Sequence, residues 1–244
     1  GFKHVKTFIP NRFTEGYGLT VDAVERIAKA GADLILTVDC GSLSHKEITR
    51  AAELGVDVIV TDHHNVAPVQ PPAIAVINPK RLLQDYPNEY ENFLLKPSAL
   101  HKGKIYPFLD LPGVGVAFKL VQALQTVPGL GDGLPKGQEK WLLDLVALGT
   151  VCDVVTLVDE NRTHVYWGLK VLSKTRRPGL KALMAVAGVR PETVNARSLG
   201  FALGPRMNAA GRLETAQYSL DMLIATDPME ALTQARKLDD MNQL

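Results

Sequence analysis

The sequence predicts an α/β protein: an open, mainly parallel sheet flanked by helices and followed by a mostly helical segment. Three observations predict it. Short β-rich runs alternate with helical patterns along the first eighty residues. Those runs are nearly all apolar, as strands covered on both faces are. Beyond about residue 113 the apolar spacing is helical throughout.

The elements follow in order. A strand is expected at 5–9, then a helix over 21–30 with Thr20 as N-cap and Gly31 as its stop. The next strand spans 34–38. Ser44 and Glu47 have the S-x-x-E spacing of a capping box, so a helix should run to about Leu54, where Gly55 ends it before a strand at 56–60. A fourth strand is expected at 73–77. Right-handed crossovers return each strand in the same direction, which makes the sheet parallel. In such sheets ligands collect at the carboxyl ends of the strands. Those ends read Thr37-Val38-Asp39-Cys40-Gly41-Ser42 and Val60-Thr61-Asp62-His63-His64-Asn65, so both polar clusters should share one edge.

Residues 66–111 are richer in Pro, Asn and charge and read as a surface insertion. Helices are expected near 114–126, 138–148, 165–173, 180–186 and 216–225, and a last one from Pro228 with Asp227 as N-cap. The expected division is an α/β part over 1–112, a helical remainder over 113–227 and the start of a further helix over 228–244. Both ends read as cut from something longer.

With 244 residues, 46% of them apolar, the chain has enough material for a substantial core. No run approaches the roughly 20 apolar residues of a membrane-spanning helix, and no signal-peptide pattern opens the chain, so a cytoplasmic location is the default expectation. Cys40 and Cys152 stand far apart without C-x-x-C spacing, which argues against a disulfide framework or a thiolate zinc site. A net charge of +1 lacks the general basic excess of many nucleic-acid binders, so phosphate binding has to come from a local patch.

Asp39 ends an apolar strand before a small-residue turn, and Asp62-His63-His64 ends another. Two imidazoles and carboxylates at one edge can coordinate a divalent ion, or divide between an ion and a substrate phosphate. Each also has a plain reading, as a turn aspartate and a solvated loop. Asp153 lies among apolar neighbours that suggest burial, and a buried carboxylate calls for a cation or hydrogen bonds. Oxygen and imidazole donors without thiolate favour Mn2+ or Mg2+ over structural zinc.

The stretch Gly204-Pro205-Arg206-Met207-Asn208-Ala209-Ala210-Gly211-Arg212 reads as a loop offering Arg206, Asn208 and Arg212 to a phosphodiester, since Arg matches phosphate oxygens bidentately. Arg12, after the first expected strand, is a weaker case. Leu111-Pro112-Gly113-Val114-Gly115 is a tight helix entry or a helix-terminus phosphate site. Lys174, Arg176 and Arg177 read as a solvated helix end or the extension of a basic track.

Taken in order, Ile9 to Leu19, Val38-Asp39-Cys40-Gly41, Asp62-His63-His64, Gly149 to Val155 and Gly204 to Arg212 resemble the RecJ family of the DHH phosphoesterase superfamily over nearly the whole chain. The resemblance implies a two-metal 5′ to 3′ exonuclease on single-stranded DNA that releases 5′-mononucleotides with Mn2+ or Mg2+ in recombination and repair. Single-strand-binding protein and a helicase are the implied partners. By motif, Asp39 would bridge two ions, His63 and Asp153 would ligate one of them, His64 would contact the scissile phosphate, and Asp62 would orient the histidines. Arg12, Arg206, Asn208 and Arg212 would hold DNA.

The family's Asp-x-Asp-x-Asp-Gly motif and its C-terminal substrate-binding domain are not in this sequence, so the chain alone is expected to bind metal weakly and to show little nuclease activity. Two other readings stay open. One is a different DHH phosphoesterase, acting on oligonucleotides, cyclic dinucleotides or pyrophosphate. The other is a non-catalytic nucleic-acid-binding module.

Overall fold

The structure, a computed structural model, describes residues 4–88, 91, 106–130 and 135–244. Two compact units emerge, residues 18–119 and residues 1–17 with 120–244. The break after residue 119 falls within a helix, and the first 17 residues group with the helical unit, not with the α/β part where the sequence placed them.

The α/β unit is built from α1 (Val21–Lys29), β1 (Leu34–Val38), α2 (His45–Glu53), β2 (Asp57–Thr61), β3 (Ala75–Ile77), a 3-10 turn at Pro79–Arg81, the short α3 (Leu82–Asp85) and the start of α4 (Gly113–Leu124). Thr20 caps α1 as expected, its hydroxyl accepting from the Ala23 amide at 3.1 Å, and Gly31 and Gly55 follow the first two helices in left-handed conformation. Ser44 precedes α2 but its side chain makes no cap bond. Its backbone is not extended (φ −84°, ψ 55°), so the expected capping box does not form.

All three strands are parallel in the order β1-β2-β3, and the register pairs Val38 with Thr61 and Thr61 with Ile77. Val24, Ile35, Ile48, Ala51, Val56, Val58 and Val60 form the core between α1, α2 and one sheet face. The other face of β1, with Leu34, Leu36 and Val38, is exposed. No strand forms at 5–9, where most side chains are exposed. A strand exists only where a neighbour completes its ladder, and an apolar run cannot supply one. The strand expected at 73–77 shortens to three residues because Pro71 and Pro72 precede it and Pro79 follows.

The insertion expected over 66–111 is only partly within the described residues. Its described start holds β3, the turn and α3, and residues 92–105 lie outside them.

The helical unit holds a 3-10 segment (Gln138–Leu142), α5 (Leu143–Cys152), α6 (Asp159–Leu172), α7 (Pro178–Val186), α8 (Ala196–Ser198), a π-helical turn (Leu199–Leu203), α9 (Gly204–Leu213), α10 (Gln217–Ile224) and α11 (Pro228–Gln243). Asp227 caps α11, accepting from the amides of Met229 and Glu230 at 2.9 and 2.8 Å. Leu172, Leu180, Leu183, Leu199, Leu203, Met222 and Leu238 are fully buried at its centre. Each such side chain contributes roughly 2 kcal/mol by leaving water.

Two places in this unit require glycine for space. A Cβ on Gly168 would sit 2.3 Å from the Leu143 carbonyl oxygen and 2.4 Å from the Ala147 Cβ, and one on Gly179 would sit 1.9 Å from the Met222 oxygen. The obstacle at Gly168 includes helix backbone, which cannot rotate aside. Gly168→Ala is expected to lower stability by about 2–3 kcal/mol, read as a fall in the urea midpoint at unchanged slope.

Candidate metal centre

Asp39 and Asp62 each follow the last residue of a parallel strand, so the register sets them on one edge. The ladder continues into both: the Asp39 amide donates to the Thr61 carbonyl at 2.9 Å and the Asp62 amide to that of Ile77 at 3.0 Å. The threonines lock the strand ends, Thr61 Oγ1 donating to Thr37 O at 2.7 Å and Thr37 Oγ1 to Cys40 O at 2.8 Å.

Asp62 is 1% exposed. Its Oδ2 accepts from the Ser42 amide at 2.9 Å, and its Oδ1 from the amides of His63 and His64 at 2.8 and 3.2 Å and from His64 Nδ1 at 2.8 Å. Burial alone pushes this carboxyl upward. The hydrogen bonds from Ser42 and His64 outweigh it and hold the group below the usual carboxylate range. A charged Asp62 orients the His64 ring through its Nδ1.

Asp39 stands in the left-handed region at φ 64°, a conformation that costs on the order of 1 kcal/mol and that Asp tolerates better than most residues. Its Oδ1 lies 3.0 Å from His63 Nε2, and Asp39, His63 and His64 each offer a ligand atom within 4.8 Å of the others. Adjacent ligands of an octahedral ion at about 2.1 Å stand about 3 Å apart, so the Asp39 and His63 atoms fit one coordination shell. The set is one carboxylate and two imidazoles. Cys40 is not part of the group; burial, then the charges of Asp62 and Asp39, push its thiol up to about 11.

The segment 111–115 is a helix entry. A Cβ on Gly113, at the first residue of α4, would sit 2.2 Å from Asp39 Oδ1, so the α4 N-terminus meets a carboxylate of the chain itself. Negative charge is favoured at that end of a helix.

The remaining candidates belong to the helical unit. Asp153 is exposed, contrary to the burial that its neighbours suggested, and forms the C-cap of α5. Its apolar neighbours point elsewhere because consecutive helical residues face about 100° apart. The next residue, Val154, is exposed at φ 59°, a true outlier for a β-branched side chain. Residues 204–212 are not a loop but lie within α9, with Pro205 in its first turn. Arg206 Nε donates to Asp239 Oδ1 at 2.7 Å and its Nη1 to Ala202 O in the π-helical turn at 2.9 Å. Arg12, Asn208 and Arg212 are exposed.

Residues 1–150 match the family model described as "DHH family, N-terminal domain". The chain belongs to the DHH family. The DHH chain is 41% identical to the single-stranded-DNA-specific exonuclease RecJ of Bacillus subtilis over 98% of its length and 27% of that protein, and 41% identical to that of Escherichia coli over all of its length and 40% of that protein. A crystal structure of exonuclease RecJ bound to manganese matches 97% of the chain and 53% of its own at a TM-score of 0.75 and 33% identity. That of Thermus thermophilus RecJ with Mn2+ matches 92% and 30% at 0.70 and 32%. The DHH chain thus spans between about a quarter and two fifths of the curated relatives' length. Among its described residues no helix is long and apolar enough to cross a membrane.

Sequence reasoning missed Asn78. Directly after β3 and 6% exposed, it donates to Ser42 Oγ at 2.8 Å and to the His64 carbonyl at 2.9 Å, and it accepts from the Lys80 amide. It therefore ties the loops after β1 and β2 to β3. The only signal was an Asn before a Pro at a strand end, which equally marks an ordinary turn.

Asp62→Ala leaves three buried or half-buried amides without their charged acceptor and is expected to cost about 3 kcal/mol. Because its folded pKa is depressed, Asp62 stabilises fully above the ordinary value of 3.8 and loses that contribution as pH falls through the folded value. Urea titrations between pH 7 and pH 2 should show a wild-type decline below about pH 4 that is shallower in the variant.

Proposed function

We propose that this chain carries part of the two-cation centre of a 5′ to 3′ exonuclease on single-stranded DNA, releasing 5′-mononucleotides with Mn2+ or Mg2+ in recombination and repair. The observation that carries the reading is the convergence of Asp39, His63 and His64 at one sheet edge in a DHH chain similar along nearly its whole length to single-stranded-DNA-specific exonucleases. The donor set fits the ion class: oxygen and imidazole without thiolate suit Mn2+ and Mg2+. When bound, such ions activate water and stabilise the leaving oxygen of a phosphodiester.

Asp39 and His63 would hold a cation at the sheet edge, and by the motif resemblance Asp153, exposed at the C-cap of α5, would serve as a metal ligand. Asp62 binds no ion. It keeps the His64 ring oriented through Nδ1, and that imidazole would contact the scissile phosphate. Arg12, Asn208 and Arg212 offer exposed donors to DNA phosphates. Arg206, with Nε and Nη1 engaged, has Nη2 left to offer. Single-strand-binding protein and a helicase supply the strand.

Asn accepts the left-handed conformation, so Asp39→Asn removes the charge and keeps the turn. In the longer protein that carries the rest of the two-cation centre, Mn2+-dependent release of mononucleotides from single-stranded DNA should fall more than about a hundredfold, and calorimetric Mn2+ binding should be lost while thermal stability holds. Unchanged Mn2+ affinity and hydrolysis would refute the assignment. Faster hydrolysis of dinucleotides or pyrophosphate than of a long strand would move the substrate to another branch of the family.

Gly113→Ala forces the Asp39 carboxylate to move and is expected to weaken Mn2+ binding about 10- to 100-fold. Gly115→Ala is the control: its Cβ would meet only a Leu111 methyl and the Pro112 ring, at 3.2 Å or more, and should change Mn2+ affinity far less in the same titration.

A further inference from the structure

One face of α6 carries cations and aromatic rings that no function described so far uses. Arg162, Tyr166 and Lys170 follow each other at i, i+4 spacing, Trp167 lies beside them, and Lys174 stands just past the helix end; all five are exposed. Tyr166 and Trp167 are 55% and 51% exposed, large fractions for rings of that size. They pack edge to face, with centroids 5.3 Å apart. Lys170 Nζ sits over both, 4.2 and 4.5 Å from the centroids, and donates to the Tyr166 hydroxyl at 2.8 Å. That contact holds the pair in one arrangement before any ligand arrives.

The charge on this face is of one sign. The acidic residues of α6, Asp159 and Glu160, are confined to its first turn, and among the described residues no carboxylate pairs with Arg162, Lys170, Lys174 or Arg176. Arg177, adjacent in sequence, is the contrast: its Nε pairs with the buried Asp144, so it anchors the α6–α7 connection. Just beyond Lys174, the Arg176 guanidinium stacks 4.3 Å from the centre of the Trp141 ring, a second aromatic–cation pair. A net charge of only +1 over the chain makes so concentrated a patch more pointed.

We propose that this face of α6 is an accessory contact surface for single-stranded DNA, with unpaired bases stacking on Tyr166 and Trp167 and phosphates meeting Arg162, Lys170 and Lys174. The pairing of exposed rings with unpaired cations is the chemistry by which single strands are held without sequence preference. A duplex would hide its base faces from the rings. The inference rests on single-stranded DNA as the substrate and adds a second place where the strand is held.

The test measures fluorescence anisotropy of a nuclease-resistant phosphorothioate dT20 in Mn2+, from 50 to 300 mM salt, for three forms of the full chain. Tyr166→Ala with Trp167→Ala should weaken binding about tenfold, the stacking loss of one base, with a smaller change on a blunt duplex. Arg162→Gln with Lys170→Gln and Lys174→Gln should flatten the slope of log affinity against log salt by about 2, since each neutralised phosphate of a single strand contributes about 0.7. Quenching of Trp fluorescence on adding dT20 should survive Trp141→Phe and vanish in Trp167→Phe. All substituted side chains are exposed or half-buried, so circular dichroism melts should match wild type.

If wild type binds dT20 and both variants match it within twofold with the same slope, the surface proposal falls while the substrate reading stands. Absence of dT20 binding by wild type overturns the surface proposal, while the substrate reading is tested by hydrolysis in the longer protein that carries the rest of the two-cation centre. Capture of a polyglutamate peptide by this face, with dT20 affinity unaffected by the substitutions, overturns it in favour of an acidic protein partner.

Discussion

The site depends on one carboxylate that never has to touch a ligand. Asp62 is buried at the end of β2, and its two oxygens divide their work. One holds the Ser42 amide in the loop after β1, and the other gathers the amides of His63 and His64 together with the His64 ring. Leaving such a group buried and unpaired would cost several kcal/mol, so the two loops have no cheap alternative to the arrangement that satisfies it. The parallel register places the anchor beside Asp39, and Asn78 extends the tie to β3. Three loops that are distant in sequence thus behave as one rigid rim.

Around that rim the chain accepts local cost for position. Asp39 sits in a left-handed conformation, and the first turn of α4 approaches so closely that only glycine fits at position 113. Val154 shows the same pattern beside Asp153 in the other unit. Among the described residues a third such position, Asp159 at the start of α6, lies away from these carboxylates, so strain is concentrated near them without being confined there.

The strand ends were legible in the sequence because apolar runs bounded by polar turns report both the strand and where it stops, and Asp39 and Asp62 mark those stops. The same logic failed at 5–9, where no strand forms and residues 5–8 are exposed. At Arg206 the Gly-Pro pair read as a loop, although Pro is well tolerated in a helix's first turn and the glycine is there for space: a Cβ on Gly204 would lie 2.5 Å from Cys152 Sγ. At Asp153 sequence neighbours were mistaken for spatial ones. Asn78 could not be found at all, since its importance lies in contacts with loops 14 and 36 residues away.

The backbone at Asp39 also separates the history of the fold from the history of its chemistry. Besides Asp itself, the residues that rest easily in the left-handed region are Gly and Asn, and neither carries the charge. On the proposed cation assignment, a single Asp39→Asn substitution would remove the charge and leave the rim intact. A chain that must keep the cation has no second acidic residue that suits the turn as well, since Glu lacks the short side chain that makes Asp tolerable there.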